Sequence, residues 1–219
     1  VLKLLKVIDT NNYGGISGKY WDEDGTSNWS SASLKKELNG TYMTTLLGTS
    51  NVNSKLSSAI ANAKWHLGGA SDSNYDTLTA EGIYTEERKT YDTFGYIGLM
   101  YPSDYGYATV GSTTTYESSC RELDLFEWGD SSYSDCKNNN WLFTSQSSFV
   151  NEAEWLLSPN ANYEAASAAF LESYGRIDLE GQTTNYSQFA VRPAFYLDSS
   201  ILKIVGTGDG TKDNAYRVG

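Results

Sequence analysis

A chain of 219 residues fits one domain, and a domain of that size buries enough surface to fold without a metal or a disulfide. Its formal net charge of −11 excludes the usual nucleic-acid reader, which needs a Lys/Arg excess to neutralise phosphates, and it disfavours anionic membrane surfaces. The 17 Tyr and 20 Gly, set among abundant Ser, Thr and Asn, describe a loop-rich domain of extracellular character.

No apolar run approaches the ~20 residues that span a bilayer, so no membrane contact is expected of this fragment. No signal peptide is visible and the chain opens without Met, which reads as a mature or trimmed fragment.

Residues 1–8 alternate around Lys3 and Lys6 and read as a strand. Tyr20-Trp21 is a short strand ending in the acidic turn Asp22-Glu23-Asp24-Gly25. Ser31 or Ser33 is the expected cap of a helix with Leu34, Leu38, Tyr42 and Leu46 on one face. Gly40 predicts a break of that helix into two. Asn53 or Ser54 caps the next, with Leu56, Ala59, Ile60 and Ala63 at helical spacing and Gly68-Gly69 at its end. His66 then falls near a helix C-terminus. A short helix around 84–88 and a strand over 96–100 follow, and Tyr101-Pro102-Ser103-Asp104 reads as a turn.

Cys120 and Cys136 have no metal-type partners, since His66 is the single histidine and a zinc site wants three or four ligands. Two free buried thiols compete with one disulfide; the disulfide is the expectation. It would close an exposed, acidic loop anchored by Phe126 and Trp128, and it implies an oxidising compartment. Trp141-Leu142-Phe143 reads as a small buried patch, and Trp65, Trp141 and Trp155 as core residues.

The last third holds the short strands. Residues 155–158 run to Pro159-Asn160, 165–172 alternate weakly, Ser173-Tyr174-Gly175 turns the chain, and 176–179 return. The strand over 189–197 contains Pro193, which predicts a bulge or an edge. Arg192, set between Val191 and Pro193, needs a carboxylate or carbonyl partner if buried. Residues 201–205 and 216–218 close the chain as strands. Helices in the first half and antiparallel strands in the second make the class α+β, in a single domain over 1–219.

Chemistry-bearing patterns are sparse. A lone His66 with no nucleophile motif reads as structural, and no cysteine context marks a nucleophile. The pairs Asp22/Glu23/Asp24, Glu86/Glu87, Glu122/Asp124 and Glu152/Glu154 read as solvated surface. Two acidic-glycine turns, 22–28 and 209–214, resemble fragments of calcium loops but lack the spaced carboxylates and terminal Glu of an EF-hand. No cofactor is expected, with calcium at 22–28 as the weaker reading beside plain Asx-turns. The polar segment between Pro159 and Phe189 is different. Tyr offers stiff contact area and Asn adaptable hydrogen bonds, so Asn160, Asn162, Tyr163, Glu164, Tyr174, Asn185 and Tyr186 are the candidate ligand contacts, with Gln182 nearby.

The motifs AKWHLGG (63–69), IGLMYPSDYGYA (97–108), WLLSP (155–159), AVRPAFYL (190–197) and GDGTKDNAYRV (208–218) occur in an order that resembles a bacterial surface-domain family with a C-type-lectin-like fold. Members resemble pilin-type or secreted proteins of gut bacteria, and the fold is shared with ligand-binding proteins and formylglycine-generating enzymes. The resemblance implies that the first and last strands pair, and that the segment before AVRPAFYL faces a ligand. The paired-thiol active-site run of the enzymes has no match here, nor does the glutamate-proline-asparagine signature of calcium lectins. The expected function is extracellular or cell-surface binding or adhesion, with a glycan or protein partner and no enzymatic activity. A structural pilin-type subunit is the alternative, and a glycan-active enzyme a more distant one.

Overall fold

The computed structural model describes residues 4–8, 13, 18–47, 54–69, 78–89, 92–112, 115–143, 152–160, 166–198, 204–205 and 217–218. After strand β1 (Leu4–Ile8) comes one helical run made of α1 (Ser33–Glu37), a π-helical turn (Leu38–Tyr42) and α2 (Met43–Leu47). The predicted break at Gly40 is therefore a π turn inside a continuous helix, which absorbs the glycine by local widening. Neither Ser31 nor Ser33 caps the run with its side chain. The orphan N–H of Ser33 donates instead to Asp22 Oδ1 at 2.8 Å, so the cap comes from the preceding acidic turn.

Helix α3 (Ser54–Ala59) stops earlier than the helical spacing predicts, and Ala63–His66 is strand β2. Its burial alternates, and Trp65 decides the matter. The indole packs against Gly98, where an added Cβ would fall 2.9 Å from the ring, and its Nε1 donates to the Gly95 carbonyl at 3.0 Å. Tertiary packing thus overrides local spacing, and His66 is a strand residue opposite Asp92, not part of a helix.

Helix α4 (Ala80–Glu87), strand β3 (Asp92–Gly95), strand β4 (Ile97–Leu99) and helix α5 (Pro102–Tyr107) follow. The segment predicted as a turn at 101–104 is the first turn of α5. Pro102 supplies the preset φ of that position, and Asp104 Oδ2 accepts from the Tyr101 N–H at 2.7 Å. Helix α6 (Glu117–Glu122), two 3₁₀ turns (Glu127–Gly129 and Ser131–Tyr133) and α7 (Ser134–Asn138) come next. Strands β5 (Ala153–Pro159), β6 (Ser167–Glu172), β7 (Ile177–Thr183), β8 (Pro193–Asp198), β9 (Ile204–Val205) and β10 (Arg217–Val218) complete the order. The molecule is a mixed α+β protein with antiparallel sheets and its helices mostly in the first half.

Two three-stranded sheets carry the frame, ordered β1-β8-β4 and β5-β6-β7. Strand β8 lies in the middle of its sheet, not at an edge. Pro193 is tolerated there because it is the first residue of the strand. Among the described residues β1 pairs with β8 and β10 pairs with β9, so the expected pairing of first and last strands is not formed.

Both faces of the β5-β6-β7 sheet are covered. Trp155, Leu157, Ala168 and Phe170 join one core with Trp21, Trp29, Leu38, Trp65 and Phe189. Leu156, Ala169 and Leu171 join a second core with Tyr105, Leu125, Trp128 and the two cysteines. A strand buried on both sides has no polar face to alternate with. Trp141 lies outside both cores and is 56% exposed, unlike the fully buried Trp65 and Trp155. Its neighbour Leu142 takes the buried position instead.

Cys120 and Cys136 form a disulfide with a Cα–Cα distance of 5.5 Å. The segment between them is not an exposed loop. It is a set of short helical turns folded over the second core, with Trp128 fully buried and its Nε1 donating to the Cys120 carbonyl at 3.2 Å; Phe126 stays partly exposed. Replacing both cysteines by serine is expected to lower stability by about 3 kcal/mol through the freed unfolded chain. Urea unfolding with and without reductant checks this, and identical midpoints would contradict it.

Candidate functional site

A cleft of about 530 Å³ opens beside the β5-β6-β7 sheet and gathers Tyr174 and Tyr186 with Tyr20, Glu152, Glu172, Gln182 and Gln188. Its floor is the edge of the first core. Phe170 and Phe189 meet tilted at 5.2 Å between centroids, and Trp155 meets Phe189 at 4.5 Å. Tyr20 arrives from the segment that bridges to Phe189, where the Lys19 and Phe189 backbones exchange hydrogen bonds at 3.0 Å. Trp155 Nε1 donates to the Lys19 carbonyl at 2.8 Å and fixes that wall to the sheet.

Tyr174 sits in the turn between β6 and β7, where Gly175 takes φ +96°, a conformation that suits glycine. The ring lies against Gly129, whose added Cβ would fall 2.9 Å away, and the Tyr174 carbonyl accepts from Lys137 Nζ at 2.7 Å. Tyr174 is 41% exposed and Tyr186 is 76% exposed. Arg176 stands between the rings of Tyr174 and Phe126, 5.2 Å and 4.1 Å from their centroids. It grips both oxygens of Glu172 at 2.8 Å. Burial pushes the Glu172 carboxyl above its usual range, Arg176 pulls it back, and Asp178 and Glu152 push it further up. Glu152 itself has φ 62°, the left-handed region that non-glycine residues rarely adopt, and its carbonyl accepts from the Ser173 N–H at 2.8 Å.

The structure thus brings Tyr174, Tyr186 and Gln182 to one cleft. It places Asn160 elsewhere: 7% exposed, with Nδ2 donating to the Leu179 carbonyl at 3.1 Å, so its amide donor serves the sheet. Asn185 is exposed and lies over Gly25, where an added Cβ would fall 2.6 Å from Nδ2. Asn162, Tyr163 and Glu164 lie outside the described residues. Sequence reasoning missed Tyr20, Glu152, Glu172, Gln188 and the phenylalanine floor. Only the AVRPAFYL boundary hinted at Phe189, and no local signal carries the approach of Tyr20 across the chain.

The other candidate chemistry resolves differently. Asp22 is buried, and its two oxygens accept from the Ser33 and Thr26 N–H groups at 2.8 Å. Burial pushes its carboxyl up, but those hydrogen bonds outweigh it and hold the group below its ordinary value. This turn is therefore built around backbone donors; the second acidic turn, 209–214, lies outside the described residues. Among the described residues no group of three His, Cys, Asp or Glu is placed to share a metal ion. The Glu152/Glu154 pair is split, with Glu152 in the cleft and Glu154 buried against Arg192. No helix among the described residues is long and apolar enough to cross a membrane. No family model, curated protein or solved structure matches this chain.

Proposed function

We propose that this chain is an extracellular or cell-surface binding domain whose cleft at Tyr174 and Tyr186 takes a glycan. The observation that carries the reading is a pre-positioned aromatic cleft with amide and carboxyl groups at its rim. The Tyr174 ring, packed against Gly129 and Arg176 with its carbonyl tied to Lys137, loses little freedom on binding, and Gln182, Gln188 and Glu152 offer hydrogen bonds to hydroxyls. The disulfide supports an oxidising compartment. A C-type-lectin-like arrangement belongs to the same proposal, supported by the motif order and by the central place of the AVRPAFYL strand in its sheet.

Binding is favoured over glycoside hydrolysis because Arg176 occupies both oxygens of Glu172. A glycosidase needs two carboxyl groups free to exchange protons or attack. Tyr186→Ala is expected to weaken binding to the best glycan on an array by at least about tenfold, since few aromatic anchors dominate an interface. The thermal midpoint should stay unchanged because the ring is mostly exposed. Full affinity in Tyr186→Ala, or turnover of glycosides by the native chain, would overturn the reading.

A further inference from the structure

A second aromatic surface lies outside that cleft. Tyr84, Tyr107, Val110, Tyr116 and Trp141 are all exposed, Val110 and Tyr116 to 67% and 70%. They line two depressions, about 770 and 290 Å³, that meet at Tyr107. Single exposed apolar residues are ordinary, but these five line two depressions that share Tyr107, a surface a partner can cover.

Two of the rings are held in place. Tyr84 and Tyr107 meet edge to face at 6.1 Å. Each has an arginine against it that also donates to that tyrosine's own carbonyl. Arg88 lies 3.4 Å from the Tyr84 ring and bonds its carbonyl at 3.1 Å, and Arg121 lies 5.0 Å from the Tyr107 ring and bonds its carbonyl at 3.0 Å. Both guanidinium groups are further engaged by acids, Arg88 by Glu87 and Arg121 by Glu117. The surface therefore offers two held rings, Tyr84 and Tyr107, while both of its arginines already have partners. Glu81 and Glu122 remain at the rim of the larger depression, so its balance is acidic within a chain of net charge −11.

We infer that this face docks a basic, extended segment of another protein. Lysine or arginine stems cover Tyr107, Tyr116 and Trp141 while their charged ends meet Glu81 and Glu122. Exposed tyrosine and tryptophan rings are the favoured anchors of protein interfaces, and the acidic field selects a cationic partner over a second copy of this acidic chain.

The test uses the full chain, a fluorescein-labelled peptide Gly-Lys-Leu-Lys-Tyr-Lys-Gly, its counterpart with Glu in place of each Lys, and cellohexaose as a neutral oligosaccharide. Anisotropy gives affinity and amide chemical shifts give the site. The lysine peptide should saturate, shift the amides of Tyr107, Tyr116, Arg121 and Trp141, and weaken as salt rises. Glu81→Gln with Glu122→Gln, and separately Tyr116→Ala with Trp141→Ser, should each weaken it by about tenfold or more. These side chains are exposed, so unchanged thermal midpoints are expected and separate lost binding from lost fold. Absence of saturation, equal affinity for the glutamate peptide, shifts at other amides, or cellohexaose shifting these amides instead would each overturn the proposal.

Discussion

Arg192→Ala is expected to lower the unfolding free energy by about 3–5 kcal/mol, the range found when one member of a buried ion pair is removed. The guanidinium and the Glu154 carboxylate are both almost wholly buried. Arg192 Nε lies 2.7 and 2.8 Å from the two Glu154 oxygens, and Nη1 donates to the Leu142 carbonyl at 2.8 Å. The pair therefore joins β5, the residue preceding β8 and the chain after α7. Burial pushes the Glu154 carboxyl up, and Arg192 is what pulls it back. Without the arginine Glu154 must take a proton or remain an unpaired buried charge, so the loss should grow as pH rises. Arg192→Met with Glu154→Leu removes both charges at similar volume and should recover most of the stability. Urea unfolding of the three chains checks this. An unchanged midpoint in Arg192→Ala would be incompatible with a buried pair.

That Arg192 needs a partner was legible in the sequence, because an arginine between apolar strand residues has few other solutions. Which carboxylate answers it was not, since Glu154 lies 38 residues away and stands in an acidic pair that reads as surface. The same division runs through the fold. The strands over 155–179 announced themselves by composition and turn residues, while their weak alternation follows from a sheet covered on both faces. The AKWH segment was misread as helix because alanine and leucine spacing favours one, and the contact that overrides it is Trp65 against Gly98. For the site, Tyr174 and Tyr186 stood out as tyrosines in polar loops. Tyr20 and Phe189 did not, because their meeting depends on a bridge between distant segments. The cysteine segment misled by its acidity, since its charges face outward while Trp128 and both sulfurs pack inward.

Between pH 4.5 and about 7 the protein should lose stability as pH rises, with a contribution of about 3 kcal/mol from one residue, Glu87. Its side chain is 1% exposed at the end of α4. One carboxyl oxygen accepts from the Ser103 N–H at 2.9 Å, the other contacts the Ser103 hydroxyl, and the Glu87 carbonyl accepts from the Gly68 N–H at 2.9 Å. Burial pushes the carboxyl up to about 7, against the lowering effects of the Ser103 hydrogen bonds and of Arg88, whose Nη1 donates to the second oxygen at 3.2 Å. The folded chain therefore keeps a proton that the unfolded chain releases from about 4.5 upward, and each step in pH through that window favours unfolding. Glu154 and Glu172, also raised by burial, act in the same direction. Asp22 acts in the opposite one, because its lowered carboxyl loses its stabilising hydrogen bonds only as pH falls below the ordinary aspartate range. Glu87→Gln keeps an acceptor for the Ser103 N–H and, like the protonated acid, carries no charge into the buried site. The variant should match the native chain near pH 4.5 and exceed it above pH 7, by an amount approaching about 3 kcal/mol. Glu87→Ala, which leaves the Ser103 N–H without its acceptor, should be weaker at every pH. Urea midpoints from pH 4 to 8 decide the matter, and parallel curves for the native chain and Glu87→Gln would show that this carboxyl titrates alike in the folded and unfolded chains.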